Sequence, residues 1–296
     1  MKIILSRKGF DSSAGGYASP ILDGKRLISL PIPENMSEMV EDYPVYNNRY
    51  SSLKVNENMS YLDLMNQLLP GDKKKLILES EKIDLNQDTI CHFDPQINST
   101  KNDDKNSKYK GLFGQSGSAN SHLLKTCKVT KGDLFLFFGW FKDTQKIDEK
   151  YKFIPDSDKH VIWGWLEINE IVDVSTLNKE KKDHLNKHPH LWMNNYHNNN
   201  SIYLSTDKLC FNNRLPGAGV FPYDKSLVLT KDGMSRSKWD LPSIFKDRFC
   251  NKNYNKFNDD YFQSVYRGQE FVIEADDQII EWVKDKFSIM NVGESE

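Results

Sequence analysis

Residues 7–16 combine residue types that bind anions. Arg7 and Lys8 supply two positive charges, while Gly15 and Gly16 carry no side chain and let backbone amides approach a ligand closely. This combination favours a phosphate group as the ligand. The spacing matches neither of the glycine-rich motifs G-x-x-x-x-G-K-[ST] and G-x-G-x-x-G. An ordinary solvent-exposed turn is therefore the alternative.

His92 and Asp94 are suited to acid–base chemistry. If residues 89–93 form a strand that continues to Asp94, the two side chains point to the same side, where a carboxylate can orient an imidazole that titrates near neutral pH. The alternative is a strand end at which Asp94 caps the following turn. We predict His92 and Asp94 as catalytic residues and add Asp11 and His122 to that set.

Polar and aromatic residues further along the chain extend the candidate binding surface. The Gln115 amide can both donate to and accept from the edge of a base, although a polar residue satisfied within the fold explains it equally well. Arg236 adds positive charge beside Trp239, and a solvated charged face is the equal alternative there. The predicted ligand-binding residues are Arg7, Lys8, Gly15, Gly16, Gln115, Arg236 and Trp239.

Two further groups of side chains have alternatives that we prefer. His184, His188 and His190 could bind a metal ion with Asp11 or Asp94, but a polar turn explains the His-Pro-His sequence, so we assign no metal ligand and no cofactor. Three tryptophans could stack on a base, but aromatic residues in strands usually belong to the core; they are Trp140, Trp163 and Trp165.

Strands dominate the structure that must position these residues. Residues 133–141 are apolar on both faces and predict a strand buried on both sides. A second strand at 160–168 follows a polar connection and should pair with the first as an antiparallel neighbour. Shorter strands are predicted at residues 2–6, 27–32, 76–78, 89–93, 202–204 and 227–230.

Helices are predicted at residues 60–69, from 117 to 127, at 178–187 and at 276–287. Ser60 and Asp63 are spaced as a capping pair for the first helix. The fold class is therefore α+β, with a mixed, mostly antiparallel β core decorated by helices. We expect one elaborated domain over residues 1–296, with its strand-rich core at about 130–230.

Composition limits the environment and the partners. A net charge of −2, from 40 Lys+Arg and 42 Asp+Glu, gives no overall field that draws the protein to a phosphate polymer, so any nucleic-acid contact must be local. The N-terminal apolar run is too short for a signal peptide, and no stretch reaches the roughly 18 apolar residues of a membrane span. We expect a cytoplasmic protein with no membrane partner, whose four cysteines are reduced and mostly buried.

Seven ordered segments resemble the bacterial nucleotide-modification-associated domain family, third class. They are residues 6–11 with 15–16 and 19–20, 91–95, 113–115 before Ala119 and His122, 132–141, 188–190, 217–221 and 236–242. The resemblance implies an association with nucleotide or DNA-base modification. Residues 131–172 are also similar to the PUA-like barrels, which implies that the core could be a barrel holding nucleic acid or a single base.

The sequence thus leads to a hypothesis with two rivals. The protein acts on or recognises a nucleotide or DNA base in a modification or phage-defence system, with the residues named above around one pocket and a nucleotide or nucleic acid as partner. One rival is a non-catalytic PUA-like reader of modified nucleic acid. The other is a metal-dependent nuclease that uses the histidines with Asp11 or Asp94.

Overall fold

The fold is an α+β arrangement in which one large sheet carries most of the core. The computed structural model describes residues 1–35, 39, 48–71, 74–97, 110–193, 199–264 and 270–290. In these ranges the α-helices are α1 (Tyr61–Leu68), α2 (Gly117–Ser121), α3 (Lys179–Leu185) and α4 (Asp277–Phe287), and a π-helical turn (His122–Thr126) continues α2. Short 3-10 turns lie at Val174–Thr176, Pro189–Leu191, Lys225–Leu227, Ser243–Phe245 and Lys252–Tyr254.

The strands of the described residues run the length of the chain. They are β1 (Lys2–Arg7), β2 (Ser19–Leu22), β3 (Arg26–Leu27), β4 (Lys54–Asn56), β5 (Met59–Ser60), β6 (Lys75–Leu78), β7 (Glu81–Asp84), β8 (Leu112–Ser116), β9 (Leu134–Ile147), β10 (Lys150–Phe153), β11 (Lys159–Asp173), β12 (Asn200–Ser205), β13 (Lys208–Leu209), β14 (Asn212–Pro216), β15 (Ala218–Val220), β16 (Lys238–Trp239), β17 (Phe262–Gln263) and β18 (Glu270–Glu274).

Ten of these strands form the main sheet. Its path is β18-β1-β9-β11-β12-β8, with β2, β3, β10 and β15 attached to its sides. The β1–β9 and β2–β9 pairs are parallel and the other pairs are antiparallel, so the sheet is mixed but mostly antiparallel, as the sequence predicts. The two longest strands, β9 and β11, are the pair expected from the apolar runs at 133–141 and 160–168.

The sheet curls so that its two end strands approach each other. Gln115 on β8 donates to Glu270 on β18 over 2.5 Å, although the two strands lie at opposite ends of the path. Phe113, Phe135 and Tyr203 pack together inside the curl, with ring centroids 4.9–5.5 Å apart. No backbone pairing joins β8 to β18 in the described ranges, so the closed barrel suggested by the PUA-like similarity is not present there. We call the gap between β8 and β18 the seam.

Two helices form as their sequences predict. Ser60 is the N-cap of α1. Its hydroxyl accepts the Asp63 backbone amide, and the Asp63 carboxylate accepts the Ser60 backbone amide, which makes a complete capping box. The α4 helix buries Ile279, Val283 and Phe287 in the main core, where the Phe287 ring lies 5.2 Å from that of Trp165. In the described residues no helix has the length and apolar content needed to cross a membrane.

Three short-strand predictions are wrong. Of the strand expected at 27–32 only Leu27 lies in a strand, as the last residue of β3, and residues 89–93 and 227–230 contribute only isolated bridges, for example at Ile90 and Val228. Prolines explain two of these errors, because Pro31, Pro33 and Pro95 cannot donate to a ladder. The sequence also predicts polar, Asn-rich loops at residues 98–110 and 194–201, of which 98–109 and 194–198 lie outside the described ranges.

The cysteine prediction is also corrected. Cys127 and Cys250 form a disulfide, with sulfurs 2.12 Å apart, that ties the end of the π-helical turn to the segment beside β18. Of the other two, Cys91 is buried and Cys210 is exposed. The chain has no C-x-x-C spacing, but this does not exclude a disulfide between cysteines far apart in sequence, and these two partners are 123 residues apart.

Candidate functional site

A buried carboxylate lies against the outer edge of β8, at the seam. Asp94 Oδ1 accepts the Gly114 amide over 2.9 Å and the His188 Nε2–H over 3.1 Å, and the side chain is 3% exposed. Burial alone would raise the pKa of Asp94, but the hydrogen bond from His188 and the nearby imidazoles lower it to about 2. Asp94 is therefore a buried, ionised carboxylate.

His92 stands between Asp94 and a second carboxylate. Its Nδ1 lies 2.7 Å from Glu34 Oε2, and its Nε2 lies 4.0 Å from Asp94 Oδ2. Burial lowers the pKa of His92, but the hydrogen bond and charge of Glu34 outweigh burial, so the pKa is raised overall. His92 and Asp94 do come together as predicted. Glu34 was missed, because nothing in the sequence marks a partner 58 residues away.

His190 completes the group from the turn that precedes β12. Its Nδ1 lies 2.7 Å from Asn200 Oδ1, and its ring centroid is 5.1 Å from that of His92. Burial first, and then the charge of His92, lower the pKa of His190 to about 3. A Cβ at Gly114 would lie 2.3 Å from the His190 ring, so only glycine lets the ring approach β8 this closely. We call Glu34, His92, Asp94, His188, His190 and Asn200 the Asp94 cluster.

Three members of the Asp94 cluster could hold a metal ion. One ligand atom from each of His92, Asp94 and His190 lies within 4.8 Å of the others. This set differs from the alternative considered from the sequence, because His184 lies exposed on α3 and Asp11 lies elsewhere.

Lys8 and Gln115 lie inside the curl, around Glu270. Glu270 is 3% exposed and accepts the Gln115 amide over 2.5 Å and the Ser6 hydroxyl over 3.4 Å, with Lys8 Nζ 3.6 Å away. The positive charge of Lys8 lowers the pKa of His92, against the larger effect of Glu34. We call Ser6, Lys8, Gln115 and Glu270 the Glu270 cluster.

Arg7, Arg236 and Trp239 belong to a different place. Successive residues of β1 point to opposite faces, so Arg7 faces away from Lys8. Burial and the charges of both arginines hold the pKa of His160 well below its usual value, and His160 Nδ1 accepts the Trp239 indole N–H over 2.9 Å. Trp239 is fully buried and has no ring face to offer a base.

The glycine loop closes on itself. Asp11 Oδ1 accepts the amides of Ser13 and Ala14, which makes Asp11 the cap of its own turn. Gly15 and Gly16 adopt φ of +80° and +85°, and their amides donate to the carbonyls of Ile77 and Asp11. These two amides are already engaged, so the phosphate-binding prediction for the glycines gains no support.

His122 lies on the π-helical turn, apart from His92. Its Nε2 is 3.4 Å from Cys127 Sγ, and its ring centroid is 6.2 Å from that of Tyr254. Among the described residues no contact joins His122 to the Asp94 cluster. The predicted site residues therefore fall into separate groups, of which the Asp94 and Glu270 clusters both contact β8, at the adjacent residues Gly114 and Gln115.

A family model described as nucleotide modification associated domain 3 matches residues 2–274. The chain belongs to this family. No curated protein and no solved structure matches it. The matched range of this nucleotide modification associated domain contains every residue of the Asp94 and Glu270 clusters, and the family description associates the chain with nucleotide modification.

Two open cavities of this family member lie away from the clusters. One, of about 610 Å³, is lined by the end of α1 and by β10, and the other, of about 810 Å³, is lined by Asp143, Lys159 and residues 228–234 among others. Their linings contain no member of either cluster. The buried, ionised Asp94 group is the stronger candidate, because perturbed carboxylates and imidazoles concentrate at functional sites.

Proposed function

We propose that this protein acts on a nucleotide or nucleobase at the seam, with the Asp94 cluster as the reactive centre and the Glu270 cluster as the part that recognises the ligand. One observation carries the proposal: an ionised Asp94, buried among three imidazoles, accepts the amide of Gly114, and the next residue of β8, Gln115, bonds to Glu270 beside Lys8. Burying this many polar groups costs stability, and a role in function is the common reason for retaining them.

The chemistry of the Glu270 cluster suits a nucleotide. The Gln115 amide and the Glu270 carboxylate offer a donor and an acceptor of the kind that read a base edge, and Lys8 offers a cation for a phosphate. Gln115 and Glu270 now bond to each other, and a base edge could exchange that bond for two of its own. Arg7, predicted together with Lys8, lies on the other face of β1 and takes no part.

A stacking reader receives less support. Trp163 and Trp165 are 3% and 1% exposed and pack in the main core, and the half-buried Trp140 has the Arg236 guanidinium over its ring, 3.8 Å from the centroid. The base platform that a PUA-like reader needs is therefore not offered by these rings. We propose action on the ligand within a nucleotide- or DNA-modification or phage-defence system, and we propose no second function.

Mass spectrometry of nucleotides that copurify with the protein tests this function. We expect a nucleotide or modified nucleoside with the wild-type protein and its loss in Lys8→Met. Lys2→Met is the matched control, because Lys2 lies at the other end of β1 and pairs with Glu274, which is 63% exposed. Asp94→Asn should retain the ligand, because it alters the reactive centre and leaves the Glu270 cluster in place.

Calorimetric titration covers a ligand that is lost during purification. Nucleoside mono-, di- and triphosphates and short DNA are titrated into the wild-type protein and into both lysine variants, each confirmed as folded by circular dichroism. If the wild-type protein binds none of them and carries no nucleotide, or if Lys2→Met and Lys8→Met behave alike, the proposed function is wrong.

A further inference from the structure

The hydrogen bonds of His190 determine which of its ring nitrogens carries the proton. Asn200 donates its Nδ2–H to the His190 carbonyl over 2.8 Å, which turns its Oδ1 toward His190 Nδ1, 2.7 Å away. An amide oxygen only accepts, so Nδ1 must carry the proton. The lone pair of His190 therefore lies on Nε2.

His188 is fixed in the opposite tautomer. Its Nδ1 accepts the His190 backbone amide over 3.3 Å, so its proton lies on Nε2, which donates to Asp94 Oδ1. Both nitrogens of His188 are thus engaged. Asp94 Oδ1 also accepts the Gly114 amide, which leaves Oδ2 facing His92.

His92 has the same arrangement as His190. Its Nδ1 lies 2.7 Å from Glu34 Oε2, and a carboxylate oxygen accepts the proton of Nδ1. The Nε2 atom of His92 points toward Asp94 Oδ2, 4.0 Å away. His92 and Asp94 thus each have one atom held by a neighbour and a second atom turned toward the other residue, and a ligand atom of His190 lies within 4.8 Å of a ligand atom of both.

We propose that His92 Nε2, His190 Nε2 and Asp94 Oδ2 bind a divalent transition-metal ion. Histidines that bind metal ions typically donate their other ring N–H to a carboxylate or a carbonyl, and Glu34 and Asn200 supply those acceptors here. Two imidazoles and one carboxylate favour zinc or another first-row transition ion over magnesium or calcium, which prefer oxygen ligands. Three protein ligands leave at least one position open.

Only a small closure of the ligands is required. Zinc binds imidazole nitrogen at about 2.0–2.1 Å and carboxylate oxygen at about 2.0–2.2 Å, which places tetrahedral ligands roughly 3.3–3.6 Å apart. The ligand atoms now lie within 4.8 Å of one another, so movements of about 1 Å are enough. Side-chain rotation of Asp94 and His92 can supply these movements because no described residue forms a hydrogen bond with either ligand atom.

This inference goes beyond the proposed function and does not require it. Metal binding depends on the Asp94 cluster alone, whereas nucleotide recognition is assigned to the Glu270 cluster. It changes the part played by His92, whose Nε2 lone pair binds the ion instead of accepting a proton. A water molecule in the open position would then be the acidic group of the site.

Metal content and metal titration test the inference. We expect the purified wild-type protein, stripped with EDTA and reloaded with Zn²⁺, to retain about one ion per chain by mass spectrometry of the metal. Co²⁺ bound at the same site should give visible d–d absorption that Zn²⁺ abolishes. His190→Ala should weaken Zn²⁺ binding by at least about 100-fold, and Asn200→Ala, which removes only the orienting acceptor, by about 10–100-fold.

His184→Ala is the matched control. His184 is an exposed histidine on α3, six residues before His190, and its removal should leave Zn²⁺ affinity unchanged. If His190→Ala does not fold, His92→Gln replaces it, since Gln keeps the volume and removes the ring nitrogen. Circular dichroism confirms the fold of each variant before titration.

Two results would overturn the metal site. One is a folded wild-type protein that retains well below one ion per chain and gives no Co²⁺ absorption, and the other is an equal loss of binding in His184→Ala and His190→Ala. These outcomes are separate from those of the proposed function. A nucleotide that copurifies with a metal-free protein overturns only the metal site, and a metal-loaded protein that binds no nucleotide overturns only the function.

Discussion

The close approach of His190 to β8 makes Gly114→Ala a sensitive test of the site geometry. The new Cβ would lie 2.3, 2.5 and 2.7 Å from three atoms of the His190 ring, where ordinary contact begins at 3.4 Å. The nearest ring atom must therefore move by about 1.1 Å. That movement strains the bond between His190 Nδ1 and Asn200, because the ring is buried and has little room to turn.

The expected loss of stability follows from these contacts. Inserting a methyl group into a packed region costs about 1–3 kcal/mol, and weakening one buried hydrogen bond adds about 1 kcal/mol. We expect Gly114→Ala to lower the free energy of unfolding by about 3 kcal/mol. The measurement is urea unfolding followed by circular dichroism in EDTA, so that bound metal does not contribute.

A double-mutant cycle identifies the ring as the cause. In a His190→Ala background the obstacle is gone, and Gly114→Ala should cost less than about 0.5 kcal/mol, giving a coupling energy of roughly 2–3 kcal/mol. The reasoning is refuted if Gly114→Ala costs the same in both backgrounds. The same result would show that His190 does not pack on Gly114.

Two further predictions concern the seam and the disulfide. Glu270→Gln should lower the free energy of unfolding by about 3 kcal/mol, because it leaves the largely buried Lys8 without its carboxylate partner. Glu274→Gln, on the same strand, should lower it by less than about 1 kcal/mol. Equal losses in urea unfolding would contradict the burial of the Lys8–Glu270 pair. Cys250→Ser removes a cross-link that spans 123 residues and should lower the free energy of unfolding by up to about 5 kcal/mol. Cys210→Ser, at an exposed free cysteine, should change it by less than about 0.5 kcal/mol. A free-thiol assay that counts four thiols in the unreduced wild-type protein would show that the cross-link does not form.

Local signals predicted the elements whose stability is local. The capping pair of Ser60 and Asp63 defines the start of α1, and the double-faced apolar run at 133–141 defines β9, because both signals depend on neighbours within a few residues. The short apolar runs at 27–32 and 227–230 were misassigned. At this length an apolar run does not distinguish a strand from a buried loop, and the tertiary contacts decide.

The site was predictable only in part for a related reason. His92 and Asp94 were correctly paired, but their setting is an irregular segment along β8 and not the predicted strand. Arg7 and Lys8 are adjacent in sequence yet lie on opposite faces, since β1 continues through Arg7. Glu34, Asn200 and Glu270 reach the site only through long-range folding, and single-sequence patterns carry no signal for such contacts.

The placement of Asp94 has a consequence for the edge of the main sheet. An end strand with free amides invites pairing with another copy of the same sheet. Along β8, the Asp94 carboxylate takes the Gly114 amide, and Gln96 exchanges two backbone hydrogen bonds with Leu112. The segment that carries Asp94 thus also covers this edge of the sheet, and we expect that its loss would expose β8 to pairing with another copy of the chain.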